Sequence, residues 1–464
     1  MPGPKPSVRL TFHGAAQTVT GSKFLLEVGS DKVLFDCGLF QGKKELRLRN
    51  WNKPKFDPRS LSAIVLTHAH IDHTGYLPLV VRSGYQGPIY CTPATAELLE
   101  LLLPDSAHLQ EEEARFANAH GTSKHSPAKP LYTAADVKQT LQQLKVIERG
   151  TPTEILNKIS VLPLCAGHIL GATSLTVDVH GRRITFSGDV GRYDVPILPD
   201  PCGADLGDVL LCESTYGNRL HAAADIETEL AHIIKKAAER EGPIIIPAFA
   251  IGRTQNLLYY LGELERAGRI PVLPVYVDSP MAVDATKIYR QFKHDYDDEA
   301  SELLSDGETP LLTANTTFCR KVEDSKRLNF MKGSRIIISA SGMVTGGRIL
   351  HHMKNWLDDE STTVLFVGYQ AEGSRGRVIQ SGSKEVRIFG QHVPINATIE
   401  TVSGLSAHGD QSELLRWLKS CSGAPSITKI IHGEPEASAE FAGAVQATLG
   451  WEASPAEYLE TIEF

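Results

Sequence analysis

The chain has 464 residues, of which 42% are hydrophobic, 22% charged and 7% aromatic, with 39 Gly and 26 Pro; this balance argues against a disordered or fibrous chain and, at roughly 150 residues per domain, predicts two or three domains. A formal net charge of −8 argues against a nucleic-acid-binding surface, so any such groove has to be locally basic. Seven scattered cysteines with no Cys-x-x-Cys pair argue against a disulfide framework and a thiolate metal site.

The opening Met1-Pro2-Gly3-Pro4-Lys5-Pro6 has no apolar signal-peptide core, and no stretch approaches the roughly 18 apolar residues that span a bilayer. A cytoplasmic protein with no membrane partner is expected. Strand-like apolar runs follow at 32–35, 63–66, 174–179, 183–187, 209–212, 244–247, 272–277, 335–339 and 363–367. Helical runs are read at 94–102, 134–144, 226–240, 254–267 and 411–419. Residues 103–150 are polar, carry Glu111-Glu112-Glu113 and read as an excursion from the first lobe. Residues 216–404 hold three or four strand-turn-helix units, the pattern of a doubly wound domain inserted into another.

The densest chemical signal is His68-Ala69-His70-Ile71-Asp72-His73, directly after the apolar run 61–67. Alternation on extended backbone puts His68 and His70 on one side, and the turn that follows can bring Asp72 and His73 to a neighbouring point. Two adjacent metal ions are the natural occupants of such a cluster. His-x-His-x-Asp-His resembles the signature of the metallo-β-lactamase superfamily. The rest of that pattern is found in order: Asp36-Cys37-Gly38 after a strand, Gly167-His168 before one, and Ser187-Gly188-Asp189 at the end of another.

Beyond Asp189 the resemblance narrows. Glu213-Ser214-Thr215-Tyr216-Gly217, Ser406-Ala407-His408-Gly409-Asp410 and Ile430-Ile431-His432-Gly433-Glu434 resemble the three motifs of the β-CASP family, whose members process RNA or DNA. Intervening segments, among them 247–253, 278–281, 339–343 and 368–373, resemble bacterial and archaeal relatives of the endonuclease subunit of the pre-mRNA cleavage and polyadenylation machinery. The chain reaches Asp36 within its first 40 residues, leaving no room for the KH domains that often open archaeal members, so RNA affinity is expected from the catalytic lobes. The second motif does not read Ser-Gly-His-Ala, as it tends to in the RNase J branch, which is therefore placed second.

The resemblance implies an α/β protein: a metallo-β-lactamase αββα sandwich (1–215 and 405–464) with an inserted doubly wound α/β β-CASP domain (216–404). It implies that His68, His70 and His168 hold one metal and Asp72, His73 and His432 the other, with Asp189 bridging and Asp36 orienting ligands from behind. The cofactors expected are two Zn2+, with Mn2+ a substitute. The reaction implied is hydrolysis of single-stranded RNA by a metal-bridged hydroxide, endonucleolytic with 5′-exonucleolytic cutting as the second reading, with Asp72 accepting a proton and His408, oriented by Glu213, protonating the leaving 3′ oxygen.

Phosphate contacts are read at Ser341, Arg348, Arg375 and Ser406, although an ordinary strand-to-helix turn explains Ser341 and Arg348 equally well. Lys43, Lys44, Arg47 and Arg49 form a basic cluster that reads equally as a solvated charged face. The other eleven histidines, His392 among them, are given ordinary structural roles. The rivals are a small-molecule hydrolase on the same metal site (lactonase, thioesterase or β-lactamase-like), a DNA-processing nuclease, and a non-enzymatic scaffold. The sequence leaves the assembly open, with a homodimer favoured.

Overall fold

The computed structural model describes residues 7–123, 125–221 and 225–464; the opening proline-rich segment lies outside them. The chain divides into two compact units, one comprising 1–194, 200–220 and 408–464, the other 195–199 and 221–407.

The first unit is built on two seven-stranded sheets. One has the order Thr461–Glu463, Val8–Phe12, Phe24–Val28, Asp31–Phe35, Ala63–Val65, Ile89–Cys91, Leu144–Val146. The other runs Ala453–Pro455, Ile427–Ile431, Val209–Glu213, Arg182–Phe186, Thr173–Val179, Ile159–Cys165, Thr153–Leu156. Alternation fixes which side chains meet between them: Phe12, Phe24 and Phe35 from one sheet share a buried cluster with Val177, Phe186 and Leu211 from the other. Phe35 and Phe186 stack at 4.2 Å between centroids, an aromatic pairing that contributes about 1 kcal/mol beyond its area. The outer face of the second sheet is covered by the helices Gln411–Ser420 and Pro435–Leu449 through Trp417, Leu418, Phe441 and Val445. Leu25, Leu34 and Ile64, which alternate with the inward residues of the first sheet, are buried too, so both outer faces are covered, as the αββα sandwich requires.

Both sheets change from antiparallel to parallel pairing on the way to their functional ends. Asp31–Phe35 pairs with Phe24–Val28 in antiparallel register and with Ala63–Val65 in parallel. Arg182–Phe186, Val209–Glu213 and Ile427–Ile431 are parallel neighbours. The carboxyl ends of parallel strands are where loops converge and ligands bind in α/β sheets. Here those ends lead into Asp36 and His68 on one sheet, and into Asp189, Glu213 and His432 on the other.

Two expectations about elements change. The helix read at 94–102 runs from Pro93 to His120, with Thr92 as its N-cap, Pro104 inside it and Gly121 in the left-handed conformation at its end. Pro104 is exposed, so the carbonyl it leaves without a partner faces water and the helix continues. The helical run read to 144 stops at Leu141, and Leu144–Val146 is an edge strand parallel to Ile89–Cys91.

The second unit is a six-stranded sheet in the order Thr316–Phe318, Val275–Val277, Arg335–Ser339, Pro243–Pro247, Thr363–Phe366, Thr398–Thr401. Every pairing in it is parallel. Continuous apolar strands such as Pro-Ile-Ile-Ile-Pro and Arg-Ile-Ile-Ile-Ser, buried throughout, are what a sheet covered on both faces requires. A buried polar knot ties it: Asp278 accepts from His352 Nε2 (2.7 Å), Ser325 Oγ (2.6 Å) and Arg348 Nη1 (2.7 Å). Burial alone would raise the Asp278 carboxyl, but the hydrogen bonds from His352 and Ser325, with Arg348 behind them, hold it below the usual carboxylate range. A depressed carboxyl contributes stability above its unfolded value and loses it as the pH falls through the folded one. Asp278→Asn should therefore lower stability by about 3 kcal/mol at neutral pH. The difference from wild type, read from thermal melts of the whole chain, should shrink as the buffer is taken into the acid range.

Candidate metal centre and active site

The histidine cluster is split by local structure. His68 ends an extended segment at the carboxyl side of Ala63–Val65, whereas Asp72 and His73 lie in the single helical turn Ile71–Thr74, for which His70 is the N-cap. That turn is pressed against the loop after Asp31–Phe35: Cys37 N donates to His73 O (2.7 Å) and Leu39 N to Ile71 O (3.0 Å). A Cβ on Gly38 would lie 1.5 Å from Asp72 O, so only glycine permits this approach.

Seven donor side chains converge in two groups. His68 Nε2 lies 3.0 Å from His70 Nδ1, which lies 3.1 Å from His168 Nε2; Asp189 Oδ2 is 3.4 Å from His68 Nε2 and 3.6 Å from His168 Nε2. Beside them, His73 Nε2 is 3.2 Å from His432 Nε2 and 3.2 Å from Asp189 Oδ1, and His432 Nε2 is 3.5 Å from Asp72 Oδ2. A tetrahedral zinc with bonds of about 2.0–2.1 Å needs donors about 3.3 Å apart, and these separations bracket that value. Among the described residues, Asp189 Oδ1 is buried without a hydrogen-bond partner, an orphan that a cation would satisfy. The donor set, five imidazoles and two carboxylates with no thiolate, fits zinc.

The surroundings aim these donors. Asp36, buried, accepts from Thr67 N (2.8 Å) and Thr67 Oγ1 (2.9 Å) and lies 2.8 Å from His73 Nδ1, leaving His73 Nε2 to face the centre. Thr67 Oγ1 also reaches His68 Nδ1 (3.1 Å), and Thr215 Oγ1 reaches His432 Nδ1 (3.1 Å). Thr67 and Thr215 escape sequence reasoning because a threonine beside a motif carries no signal of its own. Asp36 (φ 54°) and His432 (φ 48°) adopt the left-handed conformation, strain of about 1–2 kcal/mol each that their hydrogen bonds hold in place. Burial, reinforced by His68, takes the His70 imidazole down to about 3, which keeps it neutral, as a metal ligand must be.

Next to Asp189 stands a second pair. Glu213 is fully buried at the end of its strand, accepting from Val190 N (2.7 Å) and Thr215 N (3.1 Å). Its Oε1 lies 3.2 Å from His408 Nδ1, and Asp189 Oδ2 is 4.0 Å from the same atom. Burial works against the imidazolium, yet Glu213 and then Asp189 outweigh it and push His408 up to about 9. The helix that follows is capped by Asp410 and Glu413, not by His408.

The phosphate contacts read from the sequence lie in the second unit. Arg348 is committed elsewhere, donating to Asp278, to Cys319 O (2.9 Å) and to Arg320 O (2.7 Å). Ser341 Oγ closes a local turn by accepting from Thr345 N (3.0 Å) and Gly346 N (3.2 Å). Arg375 donates to Arg387 O and Thr345 O, and Ser406 is half-buried at the edge of that unit. His392 pairs with Glu385 at 2.8 Å across an exposed hairpin.

Comparison with known proteins gives the family. Residues 19–247 match the metallo-beta-lactamase superfamily, 254–379 the Beta-Casp domain, and 392–454 the Zn-dependent metallo-hydrolase RNA specificity domain. A protein of Thermus thermophilus named Ribonuclease TTHA0252 is 37% identical over 98% of this chain and 100% of its own length. The chain belongs to the β-CASP ribonuclease family of the metallo-β-lactamase superfamily. Other β-CASP relatives include, in Methanocaldococcus jannaschii, the transcription termination factor FttA (31% identical, covering 95% of this chain and 69% of the relative) and an RNase J-like protein (30% identical, 95% and 96%). A crystal structure from Enterococcus faecalis of a protein of unknown function superposes with a TM-score of 0.55 at 15% identity, over 99% of this chain and 100% of that one. It supports the fold.

Because Asp36 and Thr67 act through His73 and His68, their loss should show as weaker metal binding. Asp36→Asn and Thr67→Val should each lower zinc affinity about 10–100-fold, measured by competition with a chromophoric chelator. Unchanged affinity would remove both from any supporting role.

Proposed function

We propose that this β-CASP protein hydrolyses phosphodiester bonds of single-stranded RNA, cutting internally, with cutting from the 5′ end the second reading, and with two zinc ions held by His68, His70 and His168 and by Asp72, His73 and His432, Asp189 lying between them. The observation that carries the reading is the pairing of His408 with buried Glu213 immediately beside the seven donors. A small-molecule hydrolase needs the metal donors but has no use for that pair. The relatives' names, a ribonuclease and an RNase J-like protein among them, point the same way.

When bound, such cations supply Lewis-acid chemistry, lowering the pKa of water from about 15.7 toward 7 and neutralising charge on phosphate oxygens; manganese shares enough of this nitrogen and oxygen preference to substitute. The chain's own groups move the protons. Burial alone would raise the Asp72 carboxyl, but the hydrogen bond to His432 and the nearby His73 hold it below its usual range. Asp72 accepts the proton of the attacking water. Glu213 holds Nδ1 of His408 and keeps the ring charged, so that Nε2 delivers its proton to the 3′ oxygen as the P–O3′ bond breaks. The products are a 5′-phosphate and a 3′-hydroxyl.

His408→Ala should leave zinc content unchanged and lower kcat about 10²–10⁴-fold, whereas Asp72→Ala should lose metal as well as activity. A denaturing-gel time course on single-stranded RNA labelled separately at each end, with metal analysis of each protein, reads both. Internal products absent from both variants are the expected result. No cleavage by metal-loaded wild type would overturn the assignment, and equal cleavage of a DNA strand would widen it to polynucleotides.

A further inference from the structure

In the first unit, a cleft opens beside the loops that carry the metal donors. Phe40 lies four residues after Asp36, and Tyr76 three after His73. His13 lies two residues before Ala15, whose carbonyl accepts from His432 N (2.7 Å). At the base of the cleft Lys23, only 5% exposed, donates from Nζ to Gly38 O (2.6 Å) and Gly21 O (2.9 Å), with the rings of Phe40 and Tyr76 at 4.4 and 4.9 Å. The mouth is formed by Arg49, Lys53, Lys55 and Tyr458. Among the described residues, no acidic side chain lines it.

Its charge runs against that of the whole chain. Residues 43–55 contain Lys43, Lys44, Arg47, Arg49, Lys53 and Lys55 against the single carboxylate of Glu45, in a protein of net charge −8. Among the described residues, Arg49, Lys53 and Lys55 have no ion pair, and this segment's carboxylate contact is that of Lys43 with Glu434 at 3.9 Å. Arg49 instead packs against aromatics, its guanidinium carbon 4.4 Å from the centroid of the Tyr458 ring and 5.4 Å from that of Phe40. Trp51, in the same segment, is 58% exposed. Burial takes the Lys23 ammonium down to about 8, so it still carries most of its charge at neutral pH. Cations without acidic partners beside an exposed aromatic ring, here Tyr458 at 38% exposure with Trp51 in the neighbouring segment, are the combination that binds single-stranded nucleic acid, the cations following the backbone and the rings stacking on bases.

We propose that this cleft is a nucleotide subsite that takes a phosphate and base of single-stranded RNA flanking the scissile bond, with Arg49, Lys53 and Lys55 contacting phosphates and Tyr458 offering a stacking face. The proposal rests on the ribonuclease reading only for the polymer bound. A segment serving merely to hold the loop would not require so many cations without acidic partners.

The test is fluorescence anisotropy of a labelled oligouridylate across a salt series, using the full chain with His408→Ala to prevent cleavage. Adding Arg49→Ala and Lys53→Ala should weaken binding about tenfold and flatten the log–log salt dependence by about 0.7 for each phosphate deprived of its cation. Lys235→Ala with Lys236→Ala, on a helix of the other unit, should change neither. If the double variant melts early, Tyr458→Leu alone should cost about fivefold through weaker stacking. Affinity and salt slope equal to the parent's would overturn the subsite, as would failure of the parent to bind the oligonucleotide. Wild type that binds the strand through Arg49 and Lys53 yet leaves it uncut would sink the ribonuclease reading while upholding the subsite.

Discussion

The organisation of the first unit depends on one buried carboxylate. Asp189 is 1% exposed, has an oxygen with no hydrogen-bond donor among the described residues, and is approached within 4 Å by nitrogens of His68, His73, His168, His432 and His408. An ionised group in such surroundings is expensive unless charge is brought to it. The two-sheet sandwich brings that charge from strand ends of both sheets. Parallel neighbours deliver Asp189, Glu213 and His432 side by side, and the facing sheet delivers His68 through His73 with Asp36 behind them. The fold and the chemistry are thus the same constraint expressed at two scales.

How much of this can be read from the sequence follows the range of each interaction. His68 to His73 announce themselves because several donors occupy six consecutive residues, and the all-parallel sheet shows itself in uninterrupted runs such as Ile244-Ile245-Ile246. What depends on distant partners is silent. Thr67 and Thr215 matter only because Asp36, His68 and His432 lie beside them. Arg348, after a glycine pair, has the local look of an anion grip, but its guanidinium is taken by Asp278, seventy residues earlier in the chain. Pro104 ought to end a helix and does not, since the carbonyl it frees is on the wet side.

Electrostatics likewise has to be read locally. A net charge of −8 describes the average surface, while residues 43–55 carry a run of cations beside loops that hold metal donors. The average is compatible with solubility and weak non-specific adhesion, and the local field decides where a polyanion settles. The two do not conflict, because screening at physiological salt confines the influence of each exposed charge to about 8 Å.

The order of donors along the chain also bears on synthesis. Six of the seven precede residue 190, but His432, together with His408, follows the whole of 221–407. A ribosome must therefore make the entire second unit before His408 and the last of the seven side chains exist. A polypeptide stalled within that unit has six of the seven side chains and lacks His432 and His408. The connectivity of the fold thus completes the cluster only after residue 432 has been made.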